Sequence, residues 1–218
     1  MDADIAEDNM IQKAVAGIAT VLILTILTAT AQAKEPMEVV KTPIDAVISI
    51  LNDPRYKVPG TQSAQRDEIW KTVKPMFDFE EISKRAVARH WRDFSDAEKT
   101  DFANVFAQFL GNTYIDKIQG EYHNEQIVYL GQDLYADNYA EVRTHIVRET
   151  LEIPVNYRML KNGDNQWKVY DIIVEGVSLV KNYRTQFASI LRKEKPAQLI
   201  DRLNRKLAEQ KNRLNSNG

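Results

Sequence analysis

The sequence predicts an α+β fold: a curved four-stranded antiparallel sheet with about six helices packed around it, cone-like and enclosing an apolar cavity. Three observations predict it. Apolar residues recur at helical spacing from Thr42 to Gly120 and alternate from Gln126 onward. The period turns helical again from Val177. The alternating segments follow one another through turns too short for crossover helices, so they pair antiparallel.

Lys34 to Lys41 reads as a polar lead-in. Thr42 is then expected as N-cap of a first helix with Pro43 at its first position, where a missing N–H costs nothing. Ile44, Val47, Ile48 and Leu51 form its stripe, and Asn52-Asp53-Pro54 ends it. Ser63 or Thr61 opens a second helix carrying Ile69, Val73 and Met76, with Pro75 making its last turn irregular. Asp78 caps a third helix running through Trp91, with Glu81 completing a capping box and Phe77 stapled to Ile82. Ser95 and Glu98 form a second capping box. The fourth helix carries Phe102, Val105, Phe106, Phe109, Leu110, Tyr114, Ile115 and Ile118, a face wide enough for a large core or a cavity wall.

Gln126 to Leu130 reads as a short strand, with Gly131 as a bulge. On the next strand Ala140, Val142, Thr144 and Ile146 face in, while Glu141, Arg143 and His145 face out. On the third strand Ile153, Val155, Tyr157 and Met159 face in. Asn162-Gly163-Asp164-Asn165 is a hairpin turn with Gly163 expected to supply the positive φ. The fourth strand, from Trp167 to Val174, is apolar on both faces until Glu175 and Gly176 break it. A helix is expected from Val177, with Val180, Tyr183, Phe187, Ile190 and Leu191 on one face. Leu199, Ile200, Leu203 and Leu207 are the stripe of the last helix, after Lys195-Pro196.

The 218 residues are 44% hydrophobic and 28% charged, a globular composition. Residues 1–33 read as a cleaved secretory signal peptide and 34–218 as one domain. Ala14 to Leu27 is an apolar run preceded by Lys13 and closed by Ala29, Ala31 and Ala33, too short for a membrane span. Asp2, Asp4, Glu7 and Asp8 do not suit a positive n-region, and Met10 makes the cleaner start. The chain has no cysteine, which excludes disulfides, thiolate metal sites and an acylated lipoprotein. Of 29 basic and 31 acidic residues, residues 1–33 hold one and four, leaving 28 and 27, a net charge of +1. That balance argues against nucleic acid as a partner. The charge is uneven: residues 181–218 hold ten bases and three acids, a segment suited either to anionic head groups or an acidic partner, or to a solvated helix face.

His90, His123 and His145 fall into no metal-ligand spacing, and no nucleophile elbow, P-loop or dinucleotide fingerprint is present. Asp171 lies inside an apolar strand. It is expected to pair with Arg184, because buried charges are paired. Tyr170 and Asp171 point to opposite faces of a regular strand and cannot share one pocket as oxyanion donor and base. What remains is an excess of apolar surface, which the residues alone leave open between a filled core and the wall of a ligand cavity.

The stretch Trp167–Phe187 (W-K-V-Y-D, then E-G-V-S-L-V-K-N-Y-R-T-Q-F) resembles the signature of the MlaC, or toluene-tolerance, family of periplasmic phospholipid-binding proteins. Arg85 to Trp91, the Asp93–Asp96 link and Leu110 to Tyr114 resemble the family's helical segment, and the basic extension after Phe187 departs from it. The resemblance implies a soluble carrier without cofactor, metal or enzymatic activity. It would hold a phospholipid by its acyl chains and move it between an outer-membrane lipoprotein complex and an inner-membrane ABC transporter. This would maintain outer-membrane lipid asymmetry. Wall candidates chosen by inward phase are Phe102, Phe106, Phe109, Val142, Ile146, Val155, Tyr157, Val169, Ile173, Val177 and Val180. A cone-fold enzyme on a small apolar substrate and a periplasmic interaction module without ligand are the alternatives.

Overall fold

The computed structural model describes residues 34–149 and 151–216; the signal peptide expected over 1–33 lies outside the described residues. Among the described residues, six α-helices and a five-stranded sheet make an α+β fold, with four helices before the sheet and two after it. The helices are α1 (Pro36–Asn52), α2 (Gln62–Val73), α3 (Phe79–Val87), α4 (Asp96–Glu121), α5 (Leu179–Leu191) and α6 (Pro196–Ser216). The strands are β1 (Gln126–Tyr135), β2 (Tyr139–Arg148), β3 (Leu151–Lys161), β4 (Trp167–Val174) and β5 (Val177–Ser178). They pair in sequence order, all antiparallel.

Helix α1 starts earlier than Thr42-Pro43 suggests. Pro36 takes the N-terminal position, Pro43 lies inside the helix, and Val40 of the supposed lead-in is fully buried. Burial of Val40 and Pro36 outweighs the hydrogen bond that Pro43 cannot make. Asp78 caps α3 by accepting from Glu81 N (2.9 Å), but the reciprocal half of that box is absent. The Asp78 N–H is taken by Val169 O on β4 (3.0 Å), and Glu81 pairs with Arg85 instead. The third helix also stops short of Trp91: Ala88 adopts φ 49°, ψ −120°, and residues Ala88–Asp93 form a 3-10 turn. The Ser95–Glu98 capping box is complete. At the β3–β4 hairpin the positive φ belongs to Asn165 (59°), not Gly163, and the Asn162 carboxamide accepts from Asp164 N and Gln166 N.

The fifth strand is the main departure from the expected sheet. Glu175 and Gly176 both take positive φ, which makes a two-residue hairpin turn. Val177 and Ser178 therefore pair back on β4 before α5 begins. Two bulges shape the sheet, one at Leu130 beside Gly131 and one at Tyr170.

Three apolar clusters hold the molecule together. The largest joins α3, α4, α5 and α6 through Phe102, Phe106, Tyr183, Phe187 and Leu199. The second joins α1 to the sheet through Val40, Met76, Val142, Met159, Trp167 and Val169. The third joins α1, α2 and α4 through Val47, Leu51, Ile69 and Ile115. The bulge at Tyr170 explains how β4 serves two of them. It inverts the alternation, so Tyr170 packs on the first cluster while Val169 and Ile172 stay with the second.

Candidate functional site

Residues directly opposed on paired strands share a face. The register therefore defines one inner face: Ile127 and Tyr129 of β1, Val142, Thr144 and Ile146 of β2, and Leu151, Ile153, Val155, Tyr157 and Met159 of β3. Val169, Ile172 and Val174 of β4 and Val177 of β5 continue it. At one end this face is closed. Val142, Thr144, Met159 and Val169 are fully buried, and α1 lies over them. Two bonds clasp α1 to β1: Tyr129 OH donates to Asp45 Oδ1 (2.7 Å), and Met37 N donates to Gln132 Oε1 (2.7 Å).

Burial falls along β2, β3 and β4 toward the other end. Ile146 and Ile153 are half-buried, and Leu151 and Val174 are 55% and 42% exposed. Val177 is 63% exposed, and Ile118 near the end of α4 is 41% exposed. β3, β4 and β5 keep the apolar pattern where the helical cover gives out, leaving an open, mainly apolar mouth with Arg148, opposed to Leu151, at its rim. Polar groups in the floor are internally satisfied: Thr144 Oγ1 donates to Val155 O (2.9 Å). Burial pushes the Tyr157 phenol up to about 12, with the Thr144 hydrogen bond acting in the opposite sense.

The structure divides the expected wall residues. Val142, Ile146, Val155, Tyr157, Val169 and Val177 share the inner face, Val177 at its rim on β5 rather than on a helix. Phe102, Phe106, Phe109 and Val180 belong to the helical cluster instead. There Phe102 stacks on Phe106 (5.5 Å), Phe106 meets Tyr183 edge-on (5.0 Å), and Phe187 fills the remainder. Ile173 is opposed to Asn156 and Ser178, on the reverse face of β4. Leu151, Ile153 and Val174 lie on this face and were not among the wall candidates; the alternation on β3 marks Leu151 and Ile153, whereas Val174 needs the bulge to place it.

Asp171 does not pair with Arg184. It is 5% exposed, accepts from Ser178 Oγ (2.6 Å) and from Val180 N (3.0 Å), and so caps the start of α5. Arg184 donates its Nε to Arg85 O at the end of α3 (2.8 Å). A helix N-terminus offers a carboxylate unpaired N–H groups and a favourable dipole, which answers its burial without a cation.

His90 bonds Asp93, His145 bonds Glu152, and His123 meets Arg148 and Glu121 O. Among the described residues no cluster of three or more His, Asp or Glu could hold a metal. Two clefts lie away from the sheet: one of about 430 Å³ between α2 and α4, beside Trp70 and Phe79, and one of about 220 Å³ between α4 and α6. Among the described residues no helix is long and apolar enough to cross a membrane.

Residues 41–205 match the model of the MlaC protein family. The chain belongs to the MlaC family. Across 84% of its length it is 21% identical to the intermembrane phospholipid transport system binding protein MlaC of Haemophilus influenzae, covering 87% of that protein. Toluene tolerance protein ttg2D of Pseudomonas putida is 24% identical over 75% of this chain and 76% of its own. A phospholipid-binding protein from Ralstonia solanacearum, solved in complex with a phospholipid, superposes with a TM-score of 0.68 at 23% identity. That superposition covers 81% of this chain and 99% of the other, so the Ralstonia protein shares this fold over nearly its whole length.

Proposed function

We propose that the protein is a periplasmic phospholipid carrier that buries acyl chains against the inner face of its sheet and exchanges them through the open end. The observation that carries this reading is the fall in burial from Val142 to Leu151 and Val174 along one continuous apolar face. The names of the MlaC-family relatives, one a phospholipid transport binding protein, support it. So does the lipid complex of the Ralstonia protein.

The energetics suit such a site. Two sixteen-carbon chains carry about 28 methylenes, and exposing them at about 0.8 kcal/mol each would cost on the order of 20 kcal/mol. A carrier must return nearly all of that and still release its cargo. A smooth apolar floor with few polar anchors does so; the buried hydroxyl of Thr144 is already satisfied and holds nothing back. Val142, Ile146, Val155, Tyr157, Val169 and Val177 are the proposed wall, extended by Ile153 and Val174.

In this reading residues 1–33 are a cleaved signal peptide and 34–218 form a single domain. The partners are an outer-membrane lipoprotein complex and the substrate-binding component of an inner-membrane ABC transporter. No catalytic role is proposed for Asp171, whose two carboxylate oxygens cap α5.

Native mass spectrometry of the detergent-free protein recovered from cells expressing the full chain tests the proposal. A mass increment matching a diacyl phospholipid, removed by organic extraction, is expected. A homogeneous lipid-free mass, with no uptake from donor vesicles, would overturn it.

A further inference from the structure

Helix α6 packs parallel to α4. Near its start Ala197 N approaches Glu98, the third residue of α4, and thirteen residues on Gln210 Nε2 donates to Thr113 Oγ1 (2.9 Å). Leu199 and Leu203 seat it, at 1% and 3% exposure. The helix therefore presents its remaining side rigidly, and its C-terminal half runs toward the end of α4, where Ile118 is exposed.

That presented side carries both signs of charge, and the turn that leads into it is cationic. Arg205 and Lys206 are exposed on α6, with the exposed acids Asp201 and Glu209 one turn to either side, and Arg192, Lys193 and Lys195 are exposed in the α5–α6 turn. Glu194 is held by Arg202 (2.7 Å), so the one acid in the turn is already neutralised. None of those five cations makes an ion pair among the described residues, whereas fourteen such pairs occur elsewhere in them or at Arg202. Like charges kept this close without partners raise the local potential and suit an anionic surface.

We propose that the α5–α6 turn, together with Arg205 and Lys206 of α6, is an electrostatic docking surface for a bilayer rich in anionic phospholipid head groups. Two observations favour a bilayer over an acidic protein. Lysine, which protein interfaces avoid, supplies three of the five charges. No large apolar residue is exposed on α5 or on the described part of α6 to serve as an anchor. Contact through charge alone is reversible and salt-dependent, as a protein that must leave again requires.

The test is co-sedimentation of protein purified from cells expressing the full chain, with vesicles of phosphatidylcholine alone or of phosphatidylcholine with phosphatidylglycerol. Binding is expected to the mixed vesicles at low ionic strength, with release as salt rises. The double variant Arg205→Glu, Lys206→Glu is expected to weaken it by tenfold or more, on a scale of roughly fivefold per cation near an anionic surface. Lys193→Glu with Lys195→Glu should act in the same direction, whereas Lys161→Glu, in the β3–β4 hairpin, should leave binding unchanged. Lipid content by native mass spectrometry should be the same in all variants, which separates failure of docking from failure of cargo binding. Equal binding to both vesicle types, or undiminished binding by both charge-reversed pairs, would overturn the proposal. So would capture of an acidic protein without any binding to vesicles.

Discussion

Gly111 of α4 lies face to face with the indole of Trp70 on α2: a β-carbon on Gly111 would stand 2.7 Å from Trp70 Cζ3 and 2.8 Å from Cε3. A glycine inside a helix costs about 1 kcal/mol relative to alanine. Here it buys the close approach of two helices. Trp70 also packs on Phe79 (5.5 Å between ring centroids), so any retreat toward the adjoining cleft gives up that contact.

Gly111→Ala should therefore destabilise the protein despite its better helix propensity. The clash costs about 1–3 kcal/mol against a gain of about 1, so the net is a loss of up to about 2 kcal/mol. Urea denaturation measures it, and Gly111→Ala combined with Trp70→Leu should be less destabilised than the two single changes summed. Additive losses would remove the clash as the cause.

Ala88 offers the opposite case. Its φ of 49° and ψ of −120° lie where only glycine is at ease. Ala88→Gly should stabilise the fold by about 1 kcal/mol, because the released strain exceeds the added unfolded-state entropy. The readout is a higher thermal midpoint with an unchanged circular-dichroism spectrum; a lower midpoint would show the strain is not there.

Asp171→Ala should cost about 2–3 kcal/mol, because it strands the buried Val180 N–H and removes a carboxylate from a helix N-terminus. Arg184→Ala should leave the effect of Asp171→Ala unchanged in a double-mutant cycle, since the two side chains have separate partners. A coupling energy near that of a salt bridge would contradict the geometry.

These examples show which levels the residues disclose. The Ser95–Glu98 box, the long α4 and the alternation of β2 and β3 are local in cause and are legible as sequence. The start of α1 is not, because Pro43 after Thr42 looks like a cap until the burial of Val40 decides for Pro36. The inner face of the sheet was partly legible. The inward phase of Val142, Ile146, Val155 and Tyr157 follows from alternation. The aromatic face of Phe102 and Phe106 looks the same whether it lines a cavity or meets Tyr183 and Phe187, and only the packing of α5 decides. The facing of Ile173 turns on one bulge at Tyr170.

The clasp between Tyr129 and Asp45 makes a pH-dependent prediction. Burial alone would raise the Asp45 carboxyl, but the hydrogen bonds from Lys41 and Tyr129 outweigh it and hold the group below its ordinary range. Burial, followed by the bond to Asp45, raises the Tyr129 phenol far above a free tyrosine. A depressed carboxyl stabilises the fold above its unfolded pKa and loses that contribution as pH falls through the folded value. A raised phenol stabilises below its unfolded pKa, near 10, and loses the contribution as pH rises through the folded value. The clasp is thus intact across neutral pH and weakens at both extremes. Tyr129→Phe should cost about 1 kcal/mol or less at neutral pH, since Asp45 is half exposed. The carboxyl of Asp45 should then titrate nearer its ordinary value by carbon-13 NMR; an unchanged titration would mean that the clasp does not form.

The apolar mouth allows cargo binding to be separated from stability. Val174 and Val177 face each other across the β4–β5 pair and are 42% and 63% exposed, so replacing them removes little buried area. Val177→Glu and Val174→Asp should each cost less than about 1 kcal/mol of folding stability. A carboxylate in the path of an acyl chain must be desolvated when the chain enters, which costs several kcal/mol unless the group takes up a proton. Both variants should fold with a wild-type melting profile and carry at least tenfold less co-purifying phospholipid. Val174→Leu, which keeps the surface apolar, should load normally. Wild-type lipid content in folded Val177→Glu and Val174→Asp would show that the chains do not pass this end of the sheet and would move the binding surface elsewhere in the fold.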